Sequence, residues 1–102
     1  MSIEYQGVLS PPLTKLQIAE LFRGLAALKG WVTVRRTDLE IGLGLQQSGH
    51  HTDVGELVSV ALTSEEVYIG FHCCHGLERE RILQAITIQL TKSGVSCNLS
   101  EQ

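Results

Sequence analysis

The sequence FHCCHG at positions 71–76 brings together side chains that bind zinc or act as thiol nucleophiles. Structural zinc sites use Cys or His pairs roughly two to five residues apart, on a loop or turn that curls around the ion. Here the candidate ligands are consecutive, and neighbouring side chains of a strand point to opposite faces of its sheet. One tetrahedral ion cannot bind all four of them while the strand stays regular, so we predict no metal site. Cys73, like Cys97, is then a small core side chain.

An alternative metal site stays open because two more histidines, His50 and His51, precede this segment in a polar loop. His72 and Cys74 share one face of the predicted strand and could form half of a site that a loop histidine completes. A Cys–His nucleophile pair also needs an orienting third group and an anion-stabilising nest, and no pattern marks either. The sequence has no G-x-S-x-G, H-E-x-x-H or P-loop motif. We therefore predict no catalytic residues and no cofactor.

The composition is typical of one soluble domain, since 43% of the 102 residues are hydrophobic and 19% are charged. We predict a single domain spanning residues 1–102. No apolar run approaches the roughly 18 residues of a membrane span, and the N-terminal stretch lacks the basic and apolar segments of a signal peptide. Three cysteines make no secreted disulfide framework. We expect a cytoplasmic protein with reduced thiols and no membrane contact.

The formal charge of −3 hides an asymmetry along the chain. Five basic and two acidic residues give positions 1–36 a charge of +3, whereas six acidic and no basic residues give positions 37–75 a charge of −6. Such an acidic block repels phosphates, which argues against nucleic acid as a partner, and attracts a cationic protein. The alternative is a solvated acidic surface that keeps the protein soluble.

Hydrophobic periodicity predicts an α+β fold. Apolar residues recur at helical spacing over positions 14–29, where Thr14 and Gln17 form a capping-box pattern and Gly30 follows the end. A second helix is predicted over 78–93, closed by Gly94. Strands are predicted at 3–9, 31–36, 39–45, 57–62, 67–73 and 95–99. The pattern leaves open whether 31–45 is one bent strand or two.

Two helices cannot bury both faces of such a sheet, so we expect both to lie on one face. The predicted fold is a two-layer sandwich, a mostly antiparallel sheet of about five strands in the order β-α-β(-β)-β-β-α-β. Alternation then leaves a second face rich in small residues: Gly42, Gly44, Ser59, Ala61 and Gly70, with Tyr68, His72 and Cys74. Either a loop of the same chain crosses this face, or the face binds a partner or a second copy of the chain.

As partner-binding residues we predict one aromatic anchor and the charged or titratable side chains around it: Tyr68, His72, Glu40, Asp53, Glu56, Glu65 and Glu66. In size, acidity and lack of catalytic motifs the whole chain resembles bacterial immunity proteins, which block their own secreted toxins. That resemblance implies a binding protein, not an enzyme, whose acidic stretch covers a cationic nuclease site. The element order is also similar to that of ferredoxin-like regulatory domains, which implies a ligand-sensing or dimeric assembly module. A third hypothesis is that the chain is a small metal-binding protein or enzyme.

Overall fold

A computed structural model describes residues 3–45, 55–72 and 76–102. Its elements are β1 (Ile3–Ser10), α1 (Lys15–Ala26), β2 (Trp31–Arg36), β3 (Glu40–Leu45), β4 (Val58–Leu62), β5 (Glu66–Phe71), α2 (Gly76–Lys92), β6 (Ser96–Cys97) and β7 (Ser100–Glu101). The α+β class with two helices and a mostly antiparallel sheet is confirmed. The predicted last strand is divided into two short pieces, β6 and β7, so the sheet of the described residues has seven strands, roughly consistent with the predicted number and order.

The sheet is built around a four-strand meander. Its order is β2-β3-β4-β5-β1-β6, β7 also pairs with β1, and the described pairings are antiparallel. Positions 31–45 form two strands, since Thr37 turns the chain by accepting a hydrogen bond from the Glu40 amide and donating its own amide to the Glu40 carbonyl. A β-bulge between Thr33 and Arg35 shifts the register of β2. Four strands therefore separate the two helices.

One face of the sheet carries the core. Ile41, Val60 and Ile69 lie opposite one another on β3, β4 and β5, and all three are fully buried. The buried side chains of both helices, such as Phe22 of α1 and Ile86 of α2, belong to the same hydrophobic cluster. Each such side chain contributes roughly 1.5–3 kcal/mol on leaving water. Both helices therefore cover the same side of the sheet, as alternation predicts.

The sequence signals for helix ends are correct at the start of α1 and at the end of α2, but not at the end of α1. Thr14 caps α1 in the predicted capping box, with both reciprocal hydrogen bonds to Gln17. The helix ends at Ala26, before the predicted position 29, and Gly30 adopts a φ of 89° in the turn that leads into β2. Gly94 closes α2 as predicted, with a φ of 75°: it donates to the Thr91 carbonyl while Val95 donates to the Leu90 carbonyl.

Candidate functional site

The face of the sheet opposite the helices is the candidate site, and we call it the open face. Strand pairing arranges it in two cross-strand rows, which run Gly42, Ser59, Gly70, Glu4 and Glu40, Ala61, Tyr68, Gln6. The alternation predicted from the sequence is confirmed for β4 and β5, whereas β3 is buried at every position from Ile41 to Gly44, including the predicted open-face residues Gly42 and Gly44. Because both helices pack on the other side, Tyr68 keeps 48% of its surface exposed.

An ion-pair cluster fills one end of the open face. Arg35 donates hydrogen bonds to the carboxylates of Glu56, at 2.9 Å, and of Glu40, at 3.1 Å. These hydrogen bonds, that to Glu56 first, raise the pKa of Arg35 above its ordinary value. All three side chains are partly exposed, so the cluster orients the two carboxylates more than it stabilises the fold.

Glu56 also explains why position 42 is a glycine. The Glu56 carboxyl group lies where a β-carbon on Gly42 would stand, so a larger residue would displace it. The prediction that small residues mark close approach is therefore correct at this position, and the chain itself supplies the approaching group. Glu56 is half-buried within the cluster and is not a freely exposed acid at the margin.

A shallow cavity of about 170 Å³ lies beside this cluster. Ser59, Ala61 and Gly70 provide the small residues that leave room for it. Tyr68, Arg35 and two acidic residues, Glu4 and Glu40, also line it. Carboxylates beside an aromatic ring can bind a lysine or arginine side chain by ion pairing and by cation–π contact.

The remaining predicted binding residues do not line this cavity. Glu66 is half-buried and accepts a 2.7 Å hydrogen bond from the Gln6 amide. Glu65 is exposed in the β4–β5 turn, where its backbone carbonyl accepts from the Leu9 amide. His72 is exposed at the end of β5, with its Nε2 atom 3.5 Å from the Ser59 hydroxyl. Asp53 lies outside the described residues.

The open face carries a net negative charge. Among the described residues, four carboxylates belong to it, those of Glu4, Glu40, Glu56 and Glu66, against one guanidinium, that of Arg35. The formal charge of the face is therefore −3. Sequence analysis missed Glu4 and Arg35, since both lie outside the acidic block. The alternation of Glu4 with the half-buried Tyr5 in β1 was the one available signal for Glu4.

The candidate thiol and metal-ligand residues fall both within and outside the described ranges. Cys73, Cys74 and His75, together with His50 and His51, lie outside the described residues. Within the ranges 3–45, 55–72 and 76–102, no group of three or more His, Cys, Asp or Glu side chains could hold a metal ion. Cys97 is a half-buried free thiol against the core, and burial raises its pKa.

Comparison with protein-family models, with curated proteins and with solved structures finds no match to the chain. In the part of the chain that the structure describes, neither helix combines the length and the apolar character needed to cross a bilayer. The candidate site therefore rests on the geometry and charge of the open face.

Proposed function

We propose that this chain is a small acidic binding protein that docks a basic protein partner on its open face. The observation that carries the proposal is the cavity between Glu4, Glu40 and Tyr68, floored by small residues. A lysine or arginine of the partner fits such a cavity, because the two carboxylates of the lining outweigh the single Arg35 guanidinium and the aromatic ring packs on the side-chain stem. Arg35 holds the Glu40 carboxylate in place before the partner arrives.

Charge favours a cationic partner over a second copy of the chain. Two open faces brought together would oppose formal charges of −3, and like charges across an interface cost several kcal/mol. A basic surface meets the same carboxylates with attraction, and long-range steering speeds its association. Homodimerisation through this face is thus the weaker proposal.

A more specific form of this proposal is that the chain is an immunity-type inhibitor, which covers the cationic surface of a toxin such as a nuclease. An active site that binds phosphates presents clustered lysine and arginine side chains, and a face with spaced carboxylates competes for them. Tyr68 would be the central anchor of the complex, since a half-exposed tyrosine supplies apolar area and a hydroxyl group at low entropic cost.

The test is a titration of the isotope-labelled chain with an arginine-rich peptide and with a glutamate-rich peptide of equal length, followed by NMR. We expect the arginine-rich peptide alone to shift the amide signals of Ser59, Tyr68 and Gly70, and the shifts to shrink at high salt. Replacing Glu40→Lys and Glu66→Lys together should weaken binding about tenfold or more.

Glu20→Lys with Glu80→Lys is the charge-matched control, because both residues lie on helices in the opposite layer. It should leave the peptide affinity unchanged. The proposal fails if both peptides bind equally, or if the shifts map to the helices. A partner captured from cell extract should be lost by the Glu40→Lys and Glu66→Lys variant and retained by the control.

A further inference from the structure

A second and larger cavity lies on the helix side of the sheet, away from the open face. It occupies about 400 Å³ between α1 and the turn that joins β2 to β3. Pockets that hold small molecules have volumes of roughly 300–1,000 Å³. Its apolar lining comes from Ile18, Ala19, Phe22 and Leu39, and Leu39 keeps 50% of its surface exposed.

Charged groups surround this apolar floor. Lys15 and Arg36 line the cavity together with one carboxylate, that of Asp38. Among the described residues neither Lys15 nor Arg36 takes part in an ion pair, whereas the adjacent Arg35 pairs twice on the other face. Two cations against one carboxylate leave a formal charge of +1 around the cavity.

Arg36 lies over an aromatic ring of the core. Its guanidinium carbon lies 5.9 Å from the centre of the Phe22 ring, which is 99% buried in the core. This contact orients the group by cation–π attraction, and Arg36 as a whole is exposed. A guanidinium binds a carboxylate through two parallel hydrogen bonds.

We propose that this cavity binds a small monocarboxylate with an apolar body. Arg36 binds the carboxylate, Lys15 adds a second positive charge, and the apolar tail lies on Ala19 and Leu39. The net charge of +1 balances a monoanion and falls short of a phosphate dianion. The site is independent of the partner proposed for the open face.

Octanoate is the probe, with octylamine as the cationic counterpart of equal tail length and hexyl phosphate as the dianionic one. In an NMR titration of the full chain at pH 7, octanoate should shift the amide signals of Ala19, Phe22 and Thr37 saturably. Octylamine should shift none of these signals, and hexyl phosphate should bind more weakly. Binding of octylamine at the same site, stronger binding of the phosphate, or octanoate shifts elsewhere would overturn the proposal.

Two variants separate head-group recognition from the fold. Arg36→Gln should weaken octanoate binding about tenfold or more, since it removes a charge-assisted bidentate contact. Arg23→Gln, the control at an exposed arginine of α1 outside the cavity lining, should not change it. Ala19→Leu should block the cavity and abolish binding while thermal unfolding stays cooperative. Unchanged affinity in Arg36→Gln would refute the assignment of the carboxylate to this arginine.

Discussion

Replacing Gly7→Ala tests how the last strands close the edge of the sheet. β6 pairs with Leu9 and Ser10 of β1, β7 pairs with Tyr5 and Gln6, and the chain between them passes Gly7. A methyl group at position 7 would lie 2.5 Å from the Cys97 Sγ atom, 3.0 Å from the Asn98 carbonyl oxygen and 3.1 Å from the Leu99 side chain. Because the Asn98 carbonyl oxygen belongs to the backbone, its clash with the methyl group can be removed only if the backbone moves.

Two opposing effects set the magnitude. Alanine gains about 0.5–1 kcal/mol over glycine inside a strand, and a buried methyl group adds about 0.8 kcal/mol. Forcing an extra carbon into a filled site costs typically 1–3 kcal/mol and sometimes more. Three contacts this short, one of them to backbone, place the cost at or above the upper end. We therefore expect a net loss of about 1–2 kcal/mol in the free energy of unfolding.

Urea unfolding followed by fluorescence measures this loss, because Trp31 is the single tryptophan and is 4% exposed. The melting temperature should fall by roughly 5–15 °C, at about 4–8 °C per kcal/mol for a chain of this size. Gly55→Ala is the control, because no atom of the described residues lies within 4 Å of the added methyl group, and it should change little. If Gly7→Ala is as stable as the parent chain, the close packing of β6 and β7 on β1 is wrong.

Two further predictions concern the capping box and the thiol. Thr14→Ala should lower the free energy of unfolding by about 1 kcal/mol in the same urea assay, because the Gln17 amide loses its acceptor. Thr87→Ala, inside α2, should leave stability unchanged or raise it slightly, and an equal loss in both variants would contradict the capping argument. In a chain with Cys73→Ser and Cys74→Ser, Cys97 should react with iodoacetamide more slowly when folded than in urea, since burial raises its pKa. Because folding raises the pKa of Cys97, the contribution of this thiol to stability is fully present below the ordinary thiol pKa near 9.0 and is lost as pH rises above that value. Equal rates of alkylation in the folded chain and in urea would refute the raised pKa.

Sequence patterns a few residues long correctly predicted those helix ends that are stabilised by hydrogen bonds within a few residues. The capping box at Thr14 and the glycine after α2 were correct because each satisfies backbone groups within a few residues. The end of α1 was placed too late, since Lys29 and Gly30 suited a helix end while the chain leaves the helix at Ala26. The final alternating run was predicted as one strand, yet β1 holds it in two pieces on either side of Gly7.

The sequence by itself determined which side chains share a face, because the two-residue period of a strand does not depend on its neighbours. Tyr68, Gly70 and Ala61 were assigned to one surface on that basis. Only the tertiary structure decided what lies beside them, since strand order follows from long-range pairing. The insertion of β1 next to β5 brings Glu4 to the cavity, and the β2–β3 hairpin brings Arg35 to Glu40 and Glu56. The same hairpin directs Arg36 to the other side of the sheet, toward Phe22.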